Sequence, residues 1–271
     1  IESTAPELHI NDTSGVTPCL KFMDNGTVRG MIGTDATTMQ IDADSDIYMK
    51  PANTLSMTLT SNGCVGIHNT APRSQLEVSK ASVGARIEAS AFSTNGAHYP
   101  EFVLQKSCHT TVNCMKPTEA GTRIGVITAC GVATYDGGSL STVGIIEFEQ
   151  DGNASTSYVP GRITFHTGQC ADAGGPLEAM RIDAKQNVGI GTTAPDGSLH
   201  VFAGSAGTVT ADTGANELVL ENSDHVGMSF LSPNDKSAYI MFGDPECDEI
   251  GMDIYNHGSN SRDFYVNAAL A

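Results

Sequence analysis

Met180 to Val201, MRIDAKQNVGIGTTAPDGSLHV, decides how this chain is read, because the chain carries it twice. Displaced by 123 positions, MTLTSNGCVGIHNTAPRSQLEV (Met57 to Val78) aligns beneath it without a gap, and 9 of the 22 positions are identical: Met57, Val65, Gly66, Ile67, Thr70, Ala71, Pro72, Leu76 and Val78. A fragment of a third copy opens the chain, where Thr4-Ala5-Pro6 runs into Leu8 and Ile10. A unit recurring along a chain marks an array in which neighbouring units complete one another's core. The repeat therefore predicts an architectural joint.

Each part of the joint has a local reading. Met180 and Ile182 alternate with Arg181 and Asp183, and Val188 and Ile190 alternate with glycines, the period-two pattern of strands with one buried face. Gly189 and Gly191, lacking Cβ, let another backbone approach or let the strand turn sharply, a use typical where chains wrap around each other. Pro195 removes a ladder donor and Asp196-Gly197 is a turn signal, so one strand ends before Leu199-His200-Val201 begins the next. The expectation is strand, tight turn, strand.

The pattern MRID-x4-VGIGTTAP-x3-LHV resembles the recurrent motif of bacteriophage and large-virus fibre proteins, which in that family lies upstream of a self-cleaving intramolecular chaperone of the endosialidase type. Leu20 to Thr54, Pro160 to Asp183 and Met228 to Asp244 resemble modules that accompany the motif. The first joint departs from it: VGIHNTAP places His68 and Asn69 where the second has glycine and threonine, which predicts a joint of different shape. No chaperone is recognised within this sequence.

Composition narrows the function classes independently. Against 31 Asp and Glu stand 14 Lys and Arg, a net charge of −17, which repels phosphate backbones and anionic lipid surfaces. Nucleic-acid partners and membrane insertion are therefore not expected. Tryptophan is absent and aromatics make up 6% of the chain while glycine reaches 29 residues, so one chain has little bulky material for an interior. Sharing a core among chains would relieve the shortage. Neither a span of about 18 apolar residues nor a basic region followed by an apolar one occurs. Seven cysteines, at 19, 64, 108, 114, 130, 170 and 247, form no CxxC pair, which argues for free thiols in a reducing cytoplasm rather than a disulfide framework or a zinc site. The sequons at Asn11, Asn25 and Asn153 carry little weight without a secretory route.

Along the chain, short apolar beats alternate with polar turns at strand spacing: Leu8 to Ile10, Leu20 to Phe22, Met31-Ile32, Met39 to Ile41, Ile47 to Met49 and Met57 to Leu59, with Asn25-Gly26 as a hairpin signal. Longer strands are expected at Glu101–Lys106, Thr122–Gly131, Val143–Glu149 and Arg162–Thr167, then at Leu218–Leu220, Met228–Leu231, Tyr239–Phe242 and Phe264–Val266. GSAGTVTADTG (Gly204 to Gly214) reads as a flexible connection.

Several constellations imitate chemistry. Gly189-Ile190-Gly191-Thr192-Thr193-Ala194 has the G-x-G-x-x-A spacing of a dinucleotide turn, but no amphipathic helix is expected after it. Asp42, Asp44 and Asp46 are spaced as in half a calcium loop, yet Asn53 stands where a bidentate Glu belongs and Ile47 where Gly does. Ser45-Asp46 and Lys50 resemble the chaperone's serine-aspartate-lysine signature, but they lie in a repeated module near the N-terminus. Glu147 and Glu149 share a strand face, as a glycosidase pair would. The eight histidines show no HxH or HExxH spacing, although one on a three-fold axis would supply three imidazoles.

The expected architecture is all-β: an elongated homotrimeric fibre of repeated small β modules with intertwined triple-stranded β-prism or β-helix-like joints. Modules are expected over 1–81, 82–204 and 205–271. The resemblance implies a virion structural protein, assembled in the host cytoplasm, whose partners are itself, other tail or capsid proteins and a host-surface glycan or protein. No catalytic, cofactor-binding or metal residue is assigned, and no cofactor. The competing readings are a polysaccharide-degrading enzyme carried by the fibre and a connector without receptor contact.

Overall fold

The computed structural model describes residues 19–25, 27–34, 39–43, 45–50, 55–80, 84–92, 94–132, 140–169, 175–266 and 269–270. Among these the protein is all-β, without a helix. The chain divides into two units, residues 1–102 and 103–271.

The first unit holds two sheets. In one, β1 (Cys19–Asp24), β2 (Thr27–Thr34) and β3 (Met39–Ala43) run antiparallel in order. Asp24 sits opposite Thr27, and Asn25 takes φ +47°, the left-handed backbone that a two-residue hairpin turn demands. The other sheet orders β4 (Ile47–Met49), β5 (Met57–Leu59), β6 (Val65–Ile67) and β7 (Leu76–Val78); its first two pairings are antiparallel and the last is parallel.

In the second unit, seven strands follow one another across a single sheet: β8 (Arg123–Val132), β9 (Leu140–Gln150), β10 (Gly161–Thr167), β11 (Leu177–Ile182), β12 (Val188–Ile190), β13 (Leu199–Phe202) and β14 (Leu218–Glu221). Pairing is antiparallel from β8 to β12 and parallel from β12 to β14. The small-residue stretch 204–214 is thus an excursion between two paired strands. A last antiparallel sheet orders β15 (Ser237–Phe242), β16 (Gly251–Asn256), β17 (Ser261–Val266) and β18 (Ala269–Leu270).

Two expected strands are irregular instead. Glu101–Lys106 joins no ladder; its Leu104 lies over Gly125 of β8, where a Cβ would come within 2.6 Å of the leucine, so the segment is spent covering a sheet face. Met228–Leu231 is also outside any sheet. Conversely β16 was not expected, although Met252 and Ile254 carry its period-two pattern. The opening fragment at Leu8 to Ile10 lies outside the described residues.

No hydrophobic side chain among the described residues is buried. The buried polar and charged side chains are those of Thr58, Glu147, Gln150, Thr164 and His200. In the last sheet Tyr239, Ile240, Met241 and Phe242 are consecutive and all exposed, and consecutive strand residues point to opposite faces. Both faces of that sheet are therefore apolar and open.

Candidate functional site

The two joints have the same structure, strand for strand. Met57 pairs with Ile67 as Met180 pairs with Ile190, and Val65 with Leu76 as Val188 with Leu199. Their turns match bond for bond. Thr60 N–H donates to Cys64 O (2.9 Å) as Asp183 N–H does to Asn187 O (3.0 Å), and Val65 N–H to Gln75 O (2.8 Å) as Val188 N–H does to Ser198 O (2.8 Å). His68 N–H reaches Ser56 O at 3.1 Å where Gly191 N–H reaches Ala179 O at 3.0 Å. The repeat is conformational, and His68 does not alter it: His68 adopts φ +55° and Gly191 +75°.

The glycines answer to the joint's own backbone. A Cβ on Gly66 would stand 2.2 Å from Asn69 O, and one on Gly189 2.8 Å from Thr192 O. The turn thus folds its carbonyl across the glycine within a single chain. A Cβ on Gly191 would meet Phe202 O at 2.3 Å. This crowding explains how parallel neighbours β12 and β13 are joined through residues 191–198 alone, where parallel strands ordinarily need about a dozen residues of crossover. Side chains hold the bend: Ala194 N–H donates to Thr192 Oγ1 (3.1 Å) and Ala71 N–H to Asn69 Oδ1 (2.9 Å).

Where the first joint has Glu77, the second has His200, and both accept from the turn. Arg73 N–H donates to Glu77 Oε2 at 2.7 Å, and Asp196 N–H to His200 Nδ1 at 3.2 Å. His200 is 2% exposed. Its Nε2 lies 3.2 Å from Glu221 Oε2 but out of hydrogen-bond alignment, and Glu221 Oε1 accepts Ala206 N–H at 2.7 Å. The Phe202 ring meets the imidazole edge-on at 5.9 Å. Asp196, His200 and Glu221 bring potential ligand atoms within 4.8 Å of one another.

A second polar cluster braces β8 to β11. Arg123 binds Glu147, which is 3% exposed; Arg162 binds Glu149 at 2.6 Å and Asp151 at 2.7 Å; Arg181 binds Glu178 at 2.6 Å. Burial pushes the Glu147 carboxyl up, but the hydrogen bond from Arg123 and the Arg123 charge outweigh it and leave Glu147 below the usual range. A glycosidase acid needs the opposite shift, and the two arginines tie both carboxylates to neighbouring strands. Thr164 Oγ1 lies 2.9 Å from His166 Nε2, and Glu147 is 3.8 Å from the same nitrogen. A nucleophile relay needs the carboxylate on the other ring nitrogen, so none forms.

The remaining sequence patterns separate in space or find ordinary partners. After Gly189-Ile190-Gly191 comes a turn and then β13, with no helix N-terminus to cradle a pyrophosphate. The Asp46 carboxylate accepts the Tyr48 hydroxyl (3.1 Å) and Ser61 N–H (2.9 Å), while Asp44 and the Asp42 side chain lie outside the described residues. Lys50 stacks over the Tyr48 ring at 5.1 Å. Cys64, Cys108, Cys114, Cys130 and Cys247 are free thiols. The arginine brace and the His200 cluster went unanticipated. The first was readable in acids at period two facing Arg162 on the next strand, the second in the histidine-for-glutamate difference between the two copies.

No protein family and no curated protein matches the chain. Among solved structures it is similar to the carboxy-terminal domain of the bacteriophage T5 L-shaped tail fibre, at 14% identity and a TM-score of 0.40 over 79% of this chain and 97% of that one. It is also similar to that domain with its intramolecular chaperone domain, at 11% identity and a TM-score of 0.48 over 96% of this chain and 79% of that one. No helix among the described residues is long and apolar enough to cross a membrane.

Proposed function

We propose that this chain is a segment of a homotrimeric virion fibre that attaches the particle to a host surface. The observation that carries the reading is the unburied apolar complement. Among the described residues no hydrophobic side chain is buried, and Tyr239 to Phe242 stand exposed on both faces of their sheet, whereas a single chain that is stable alone needs an enclosed apolar core. Copies of the same chain, laid against the open faces of β15 to β17 and lining a common axis with Val, Ile, Leu and Met, supply the missing interior. The VGIGTTAP motif favours a fibre among such assemblies. In this reading the modules run over 1–81, 82–204 and 205–271, the third entering by adding β14 to the sheet of the second joint.

Attachment falls to loops held at the module surface. Residues 107–116 are one: Ser107 Oγ accepts Lys116 N–H (2.9 Å) and donates to Cys114 O (3.0 Å), and Cys108 N–H donates to Lys116 O (3.2 Å). The closed base leaves Val112 and Met115 exposed at the loop surface. Three-fold presentation turns weak contacts with a glycan or protein into avidity. Turnover is no part of the mechanism.

Light scattering of the chain, produced with any native assembly chaperone, is expected to give about 85 kDa, three times 28.3 kDa. A monomer at micromolar concentration overturns the shared interior. Binding of the purified trimer to host cells, lost when 108–114 is replaced by a glycine-serine linker, separates attachment from a connector role. Release of sugar from host polysaccharide would establish the enzymatic alternative.

A further inference from the structure

Within the homotrimer put forward above, and resting on it, we propose that each joint is seamed to its neighbours through one sheet face only. That face carries two apolar rows across every strand, and its occupant is the same face of two further copies of this chain.

The rows follow from register. In the seven-stranded sheet one row passes through Phe148, Ile163, Ile182, Val188, Leu199 and Leu218, each paired with the next. The second lies two residues along each strand, runs from Ile127 on β8 to Leu220 on β14, and is apolar at every strand. Cross-strand partners share a face, and so do residues two apart on one strand, so both rows stand on the same side. A middle row, with Glu147, Thr164, Arg181, Gly189 and His200, points the other way. The sheet of β4 to β7 repeats the pattern: Leu59 and Met57, then Val65 and Ile67, flank Thr58 and Gly66.

Burial is inverted across these sheets. Glu147, Thr164, Gly189 and His200 in the middle row are buried, as are Thr58 and Gly66 in the first joint. Arg123 closes over Glu147, and the turn carbonyls close over the two glycines. None of the flanking apolar side chains is buried, and Ile127, Ile190, Leu218, Leu59 and Leu76 are exposed. The chain thus spends its own cover on the polar side and leaves the apolar side, where burial would stabilise it most, to something else. Its only loan to that side is Leu104, which fills the place above Gly125 where the first row ends without a side chain.

Size and repetition identify the occupant. With strands about 4.8 Å apart and the rows spanning about 10 Å along them, the seven strands and the four offer about 500 Å² per copy. Two copies face to face would bury about 1,100 Å², short of a stable interface, whereas three around an axis bury about 1,600 Å², the standard size. A different protein would have to present matching apolar ridges twice. A second copy does so because the joint recurs 123 positions along the chain, and the net charge of −17 keeps anionic lipid away.

Hydroxyl-radical footprinting of the intact, assembled chain, read by peptide mass spectrometry beside light scattering of the same sample, tests the seam. Met57 and Met180, one in the rows of each joint, are expected to oxidise about ten-fold more slowly than exposed Met115 and to match it once the chain is denatured. Ile190→Lys, in the second row, should block assembly, while Thr128→Lys, exposed on the opposite face of β8, should assemble as the parent does. A trimer whose Met57 and Met180 react like Met115 overturns the seam and leaves the homotrimer standing. A monomer overturns both. Parental assembly by Ile190→Lys, or its loss in a folded Thr128→Lys, likewise overturns the assignment of the face.

Discussion

His68 and Gly191, 123 positions apart in the chain, hold the same left-handed backbone in the two joints, at φ +55° and +75°. A β-carbon in that region costs about 1–2 kcal/mol, offset in part by the entropy that glycine loses on folding. His68→Gly is therefore expected to raise the thermal midpoint, by about 0.5 kcal/mol in stability. The reciprocal Gly191→His should cost more than about 2 kcal/mol, since its Cβ would collide with Phe202 O. Equal effects of the two exchanges in thermal unfolding would contradict this asymmetry.

Gly66 and Gly189 are barred from carrying side chains for a different reason, the turn carbonyl lying across them. Valine at either position is expected to destabilise its joint by about 3 kcal/mol and lower assembly yield. Gly84→Ala, at a site with nothing within 4 Å and an ordinary φ, is the matched control and should be close to neutral. Valine variants that assemble with unchanged melting would reduce both glycines to incidental turn residues.

Asp151 couples the brace to pH. Burial pushes its carboxyl up, but Ala184 N–H and Arg162 outweigh that and hold it below the ordinary value. A carboxyl lowered by folding stabilises above the unfolded pKa, about 4, and the contribution is lost as pH falls through the lowered folded value. Asp151→Asn should thus cost about 1–2 kcal/mol at pH 7 and progressively less below pH 4. Melts of both proteins at pH 7 and pH 3 check it, and a constant difference would contradict the assigned role.

Ser45→Ala is expected to leave the intact mass unchanged after prolonged incubation, as in the parent. Lys50, the nearest cation in the serine-aspartate-lysine pattern, lies over the Tyr48 ring at 5.1 Å, and Asp46 is occupied by Tyr48 and Ser61. Among the described residues no base is held against the hydroxyl. Cleavage beside Ser45 in the parent alone would reverse this conclusion.

Much of the fold was legible because strand periodicity and turn residues are local signals. Asn25-Gly26 announced its hairpin, and an ungapped match of Met57–Val78 to Met180–Val201 announced two joints with identical pairing. What was not legible was non-local. Nothing in Glu101–Lys106 says that Leu104 will lie over Gly125 instead of entering a ladder. Gly189 and Gly191 were read correctly as sites of close backbone approach, but only the folded chain reveals that the approaching backbone is Thr192 of the same turn for Gly189 and Phe202 of β13 for Gly191. The substitution of VGIHNTAP for VGIGTTAP promised a different shape, and equal φ signs at His68 and Gly191 cancelled it. His200 looked like one histidine among eight until its place opposite Glu77 fixed its partner.

Matched pairing in the two joints also gives the gene a place to be cut. An in-register exchange between the codons for Val65-Gly66-Ile67 and those for Val188-Gly189-Ile190 deletes or duplicates 123 residues while every ladder bond of the surviving joint finds its counterpart. Such a lineage can change how many joints it carries by recombination alone, with no intermediate that has to fold around a broken sheet.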